Sequence, residues 1–362
     1  MRIGTRRRLG ILGRIIIASI LLGSIYGSLL NVAAYGTPSF GIPIGAIHGF
    51  LLSATIGLLE IFGTRSRPGR VVEQAPFLVT LLVKGLVYGS LIAFVNVVEP
   101  GTRLLGVPRG TGRLQLVSVI FSFVATAAFI FMLQISQIIG QRTLRDWVLG
   151  RYHRPRHEDR FFLFIDIAGS TALAERLGPV AIHQFLNGVF LQAADPVDDY
   201  GGEIHQYVGD EMVITWLDRN GRPEARPIGC FMAIEAALEA AAPDFVQRFG
   251  IAPRVRGALH YGPVVVGEVG VRRRDIVFHG DVMNTTSRLE KMARDLSRSL
   301  VVSVDAWRRL LDAQQWVVED LGAHVLRGRA SPLQVYAVAD TAVQREGLRS
   351  GRSHSLQRRG RP

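Results

Sequence analysis

The sequence predicts a fold of class α+β, a ferredoxin-like domain set behind four transmembrane helices. Three observations carry this. Apolar stretches of membrane-spanning length crowd the first 140 positions. From Arg160 onward the apolar residues come instead in short runs separated by Gly, Asp and Ser turns. Those runs follow the order strand, helix, hairpin, helix, strand, which suits a ferredoxin-like sheet with helices on one face.

A helix needs about 20 apolar residues to cross a bilayer. Ile15–Tyr35 and Phe40–Leu59 provide them without a charge, Pro76–Val98 with only Lys84, and Leu114–Ile139 without a charge. A cleaved signal peptide is the alternative for the first stretch, weakened by the three that follow and by the lack of a small-x-small cleavage site. Arg6, Arg7, Arg8 and Arg14 flank the first span, and Arg65, Arg67 and Arg70 fill the second connection. Arg142, Arg145, Arg151, Arg154 and Arg156 follow the fourth span, whereas the first connection is uncharged. Positive flanks mark the cytoplasmic side, so the N-terminus and everything after residue 140 are expected there. The third connection disagrees mildly, with Arg103, Arg109 and Arg113 against Glu99. Lys84 is read either as a snorkelling lysine near Glu60 or as a functional charge. His48 is read as a helix-contact residue.

Residues 1–140 are thus expected to form the membrane domain, and 141–159 a cytoplasmic linker helix broken near Pro155. Residues 160–340 form the soluble domain, and 341–362 a basic disordered tail. The linker is either a spacer or a transmitter of dimer register. Within the soluble part, Phe161–Ile167 reads as a buried strand, and Ser170–Leu177 and Val180–Tyr200 as helices. Glu203–Val208 and Met212–Leu217 flank Gly209-Asp210-Glu211 as a hairpin. A helix over Pro227–Phe249 follows, then strands at Arg254–Tyr261 and Val264–Val269. A helix over Asp281–Arg294 and strands at Trp316–Asp320 and Gln334–Val338 complete the domain.

The chain has 362 residues and a net charge of +12. That charge is assigned to the membrane flanks and tail rather than to nucleic acid, so no nucleic-acid partner is expected. The single cysteine, Cys230, excludes an intrachain disulfide, and its apolar neighbours predict a buried thiol.

Two constellations carry chemistry. Asp166 ends the first strand and Asp210 sits at the hairpin tip, so pairing the two elements brings both to one end of the sheet. Two carboxylates there can hold two Mg²⁺ ions if a nucleoside triphosphate supplies further oxygens. The turn Ile167-Ala168-Gly169-Ser170-Thr171 opens a helix whose backbone N–H groups can cradle phosphates. In the second constellation, Gly280 to Arg288, Asn284 and Arg288 are four apart and share one helix face. An amide beside a guanidinium suits ribose positioning and neutralisation of phosphate charge.

Phe-Ile-Asp-Ile-Ala-Gly-Ser-Thr at 164–171, Val-Gly-Asp-Glu-Met at 208–212 and Gly-Asp-Val-Met-Asn-Thr-Thr-Ser-Arg-Leu-Glu at 280–290 resemble the class III nucleotidyl (adenylate/guanylate) cyclases, in a membrane-anchored bacterial form. The resemblance covers roughly residues 160–340. It implies that Asp166 and Asp210 hold two Mg²⁺ or Mn²⁺ ions per site, helped by the Ile167 carbonyl. Asn284 would orient the ribose of ATP and Arg288 would stabilise the transition state. It implies a homodimer through the catalytic domains, with aspartates of one subunit facing Asn and Arg of the other. The expected location is the bacterial inner membrane, among its lipids.

The sequence departs from that family at the two base-reading positions, which here are Gln206 and Val277. Gln206 can still hydrogen-bond a base edge; Val277 cannot. ATP is expected over GTP on the strength of the family alone. A guanylate or relaxed-specificity cyclase, a catalytically silent sensor and a diguanylate cyclase are the competing readings. The last is disfavoured by Val208 and by the Asn–Arg helix.

Overall fold

The protein is described from a computed structural model, which covers residues 3–35, 37, 40–63, 66–73, 75–98, 112–140, 144, 146, 149–272, 274–326 and 331–339. The chain divides into two compact units, Met1–Gln141 and Arg142–Pro362. The expected basic tail lies outside the described residues.

The first unit contains α1 (Ile3–Tyr35), α2 (Gly41–Phe62), α3 (Arg67–Glu73), α4 (Phe77–Val98) and α5 (Gly112–Ile139). Among the described residues, three helical stretches are long and apolar enough to cross a membrane: Leu12–Ala33, Gly41–Glu60 and Phe77–Asn96. The fourth expected span falls within the 28-residue helix Gly112–Ile139, of which Leu116–Met132 is apolar among the described residues.

Helices α1 and α2 meet along glycines. A Cβ added at Gly23, Gly27, Gly41, Gly45 or Gly49 would overlap backbone of the facing helix. Small residues at these positions let the two backbones approach closely, which strengthens van der Waals packing between the helices. Between α2 and α4, Lys84 Nζ donates to Glu60 Oε2 at 3.0 Å and Tyr88 Oη to Glu60 Oε1 at 2.8 Å. Lys84 and Tyr88 are buried, so the lysine is paired inside the bundle instead of reaching to its surface.

The second unit is built on one eight-stranded sheet. Its strands are β1 (Arg156–Ile167), β2 (Glu203–Val208), β3 (Glu211–Leu217), β4 (Val255–Val269), β5 (Asp275–His279), β6 (Leu300–Ser303), β7 (Val318–His324) and β8 (Leu333–Val338). The order is β2-β3-β1-β4-β6-β8-β7, and β5 pairs with β4. The helices are α6 (Ser170–Leu177), α7 (Pro179–Asp199), α8 (Arg226–Phe249), α9 (Asp281–Asp295) and α10 (Val304–Arg309).

Strand β1 occupies the interior of the sheet, between β3 and β4, and every residue from Phe161 to Ile167 is buried. Side chains alternate along a strand. Phe161, Leu163, Ile165 and Ile167 join the core under α7 and α8. Phe162 and Phe164 face the other way, into a core shared with Val282 of α9. Fully burying one such side chain contributes roughly 1.5–3 kcal/mol, so β1 is held from both sides.

The expectation of helices on one face is therefore corrected. Helix α9 lays Val282, Leu289 and Ala293 onto the second face. The two strands expected at Arg254–Tyr261 and Val264–Val269 are one continuous β4. Its second edge pairs with β6 at 257–259 and with β5 at 265–269. Pro263 falls in the gap between those pairings, where a missing N–H is tolerated.

The linker expectation is only partly covered, since most of 141–148 lies outside the described residues. Residues 149–153 form a turn, and β1 reaches back to Arg156. Tyr152 is buried, and its carbonyl accepts from the Glu268 N–H at 3.0 Å, which ties the turn to β4.

Candidate active site

Strand register brings the first constellation together. Asp166 of β1 stands opposite Glu211 of β3, so the β2–β3 turn falls beside the end of β1. That turn is Gly209-Asp210. Gly209 has φ +64°, the left-handed region a two-residue hairpin needs and glycine enters freely. Gly169, with φ +75°, plays the same part where β1 turns into α6. The carboxyls of Asp166 and Asp210 lie within hydrogen-bonding reach of each other. Ser170 Oγ donates to Asp210 Oδ2.

The surroundings of this pair are acidic and dry. Asp166 is 5% exposed and Glu290 3%. Burial first, then the shared proton with Asp210 and the charges of Asp210 and Glu290, push the Asp166 carboxyl up to about 7. Burial and the nearby Glu290, Asp166 and Asp210 push Glu211 up to about 7 as well. One guanidinium opposes this: Arg294 Nη2 lies 3.1 Å from Asp166 Oδ2 and 2.8 Å from Glu290 Oε1. A carboxylate pair this crowded favours a cation between its members, so the donor set fits divalent ions. Among the described residues, no group of three or more His, Cys, Asp or Glu forms a complete protein cage. Two aspartates completed by substrate phosphates suit Mg²⁺, which keeps few carboxylate ligands.

The other residues singled out in the sequence fall as follows. Ile167 ends β1 with its side chain buried. The Ala168 N–H already donates to the Arg254 carbonyl at 2.9 Å, so the phosphate cradle expected over Ala168-Gly169-Ser170-Thr171 loses that donor. Asn284 is exposed on α9 and Arg288 half-buried, with Arg288 Nη1 buried and without a hydrogen-bond partner. Glu290 and Arg294 stand six positions further along α9. At about 100° per residue this turns them about 120° around the helix. The face of α9 that meets Asp166 is therefore not the face that carries Asn284 and Arg288. Within one chain the two constellations are not joined by any hydrogen bond or ion pair among the described residues.

Gln206 is exposed on β2, and Val277 is half-buried on β5 opposite Gly267. Their neighbours meet: the rings of His205 and Phe278 stand 4.5 Å apart. Arg160, 2% exposed, backs this junction with its guanidinium 4.9 Å from the Phe278 ring. Its Nε donates to Glu158 at 2.7 Å. Burial pulls His205 down to about 4.

Sequence reasoning missed Glu211, Glu290 and Arg294. Glu211 had a signal in its adjacency to Asp210. Glu290 and Arg294 had one in their i, i+4 spacing, but nothing linear pointed that pair at Asp166.

Residues 153–340 match the family model described as the adenylate and guanylate cyclase catalytic domain. Adenylate cyclase 2 of Rhizobium meliloti (strain 1021) is 36% identical over 312 residues, covering 84% of this chain and 85% of that protein. The adenylate cyclase of Anabaena cylindrica is 26% identical over 187 residues, 49% of this chain but only 36% of that protein's length. Among solved structures, the adenylyl cyclase CyaB from P. aeruginosa aligns at 21% identity with a TM-score of 0.46, covering 52% of this chain and 97% of that chain.

Proposed function

The chain belongs to the adenylate and guanylate cyclase catalytic family, and on that premise we propose that it is a membrane-bound adenylate cyclase that converts ATP to 3′,5′-cyclic AMP and pyrophosphate. The observation that carries this reading is the Asp166–Asp210 pair, converging at one end of the sheet with Ser170 on Asp210. Asp166 and Asp210, with the Ile167 carbonyl, would hold two Mg²⁺ or Mn²⁺ ions. Ions bound there would neutralise the triphosphate and acidify the ribose 3′-hydroxyl.

The chain's own residues set the geometry of the reaction. The 3′-oxygen forms a bond to the α-phosphorus as the bond to the pyrophosphate oxygen breaks. Asn284 orients the ribose, and Arg288 meets the charge that develops on the α-phosphate. Arg288 Nη1 makes no hydrogen bond of its own in the single chain, and a guanidinium held that way is free to take a phosphate oxygen. Because α9 presents Asn284 and Arg288 away from its own Asp166, the site is completed by a second copy. The protein acts as a homodimer through its catalytic domains. The apolar helices anchor it in the bacterial inner membrane, with the N-terminus and catalytic domain cytoplasmic, as the arginine flanks indicate.

Gln206 and Val277 favour a second reading, relaxed selection between ATP and GTP, because Val277 offers a base edge no hydrogen bond. Both are tested by assaying membranes containing the chain with ATP and with GTP, Mg²⁺ or Mn²⁺ present, and identifying products by mass spectrometry. Cyclic AMP is expected, lost by at least about 100-fold in Asp166→Ala and Asp210→Ala. Full activity in both variants would overturn the metal-site assignment.

A further inference from the structure

The four carboxyls of Asp166, Asp210, Glu211 and Glu290 act on one another through a largely buried space. Arg294 is the basic side chain that touches them. Its guanidinium bridges Asp166 and Glu290 from one nitrogen, at 3.1 and 2.8 Å. The two sides of this bridge differ in freedom. The Asp166 and Glu290 side chains are 7% and 4% exposed, whereas that of Arg294 is 51% exposed. The carboxylates are thus fixed by the strand and helix that carry them, and the guanidinium reaches them from the solvent side on a long, rotatable stem.

We infer that Arg294 is a tethered counter-ion that occupies the metal cleft in the ion-free protein and is displaced when divalent ions enter. This rests on the reading of Asp166 and Asp210 as metal ligands. A dication placed against Asp166 would lie within a few ångströms of the guanidinium, and like charges that close repel strongly in a poorly hydrated site. Arg294 then yields, because its exposed stem can swing outward while Asp166 cannot. Arg294 therefore weakens ion binding and steadies the empty site. It offsets the repulsion among the carboxylates until ions and triphosphate arrive together. The requirement for ions becomes steeper than two aspartates alone would impose.

The test uses the full chain in detergent, without nucleotide, at pH 8.5, well above the usual carboxylate range. Mn²⁺ is titrated and free Mn²⁺ followed by electron paramagnetic resonance, for the wild type and for Arg294→Gln, Arg294→Lys and Asp210→Asn. Arg294→Gln is expected to bind Mn²⁺ about tenfold more tightly, the effect of removing one nearby positive charge. Arg294→Lys keeps the charge and is expected to stay near the wild type. In EDTA, Arg294→Gln is expected to melt at a lower temperature than the wild type. Mn²⁺ binding by Arg294→Gln that is equal to or weaker than wild type overturns the inference. Wild-type binding that Asp210→Asn leaves unchanged overturns the metal-site reading itself, and the inference with it.

Discussion

His205 shows how a single side chain ties pH to the stability of the edge where β2 meets β5. It sits at an irregularity in the β2–β3 pairing, with its ring against Phe278. Burial holds its pKa near 4, below the ordinary 6.5; Asp275 pulls it back up and Arg160 pushes it further down. The folded protein therefore favours the neutral ring. That preference contributes stability fully above pH 6.5, and it is lost as pH falls from 6.5 toward 4. At 1.36 kcal/mol per pK unit it amounts to at most about 3 kcal/mol. Asp218, held below the usual carboxylate range first by its hydrogen bonds to Arg309, adds a loss of the same sign at lower pH. His205→Gln is expected to flatten the fall in urea midpoint between pH 7 and 4.5 relative to the wild type. Parallel curves for the two proteins would contradict the assignment.

At the scale of elements, the hairpin tip is where local backbone and chemistry meet. Gly209 at φ +64° lets the chain reverse within two residues and sets Asp210 beside Asp166. A branched side chain in the left-handed region costs about 1–2 kcal/mol or shifts the turn. Gly209→Val is therefore expected to lower activity at least about tenfold while the domain stays folded, checked by cyclic-nucleotide assay beside circular dichroism. Wild-type activity would show that the turn does not set the geometry. This hairpin was legible in the sequence to within one residue, Glu211 joining β3 instead of the turn, because Gly-Asp between two β-rich runs is a local signal. Helices α6 to α9 were legible for the same reason: their periodicity lies within each segment, and glycines follow the first three. β5 and β6 were not, as a strand of four or five residues leaves too short a pattern. The unity of β4 was hidden by Pro263, whose place between two pairings depends on distant β5 and β6. The Glu290–Arg294 bridge to Asp166 spans 128 positions and arises only from the packing of α9 on β1. No linear pattern could announce it.

At the scale of the molecule, the two constellations belong to different surfaces of one domain. Asp166 and Asp210 close one end of the sheet, while α9 turns Asn284 and Arg288 about 120° away from the face that meets Asp166. If Asn284 and Arg288 complete the proposed Asp166–Asp210 site, a two-fold partner must supply them, and such pairing makes two identical sites at once. On the proposed reading, apolar helices lodged in a membrane would hold chains at high local concentration in two dimensions. Chains carrying Asp166→Ala and chains carrying Arg288→Ala are each expected to be nearly inactive alone. Co-expressed in equal amounts, half of their dimers would be mixed, and each mixed dimer would hold one intact site of two. Cyclic AMP production should then recover to about one quarter of the wild-type rate. Dimers that form yet remain as inactive as the single variants would contradict the shared site.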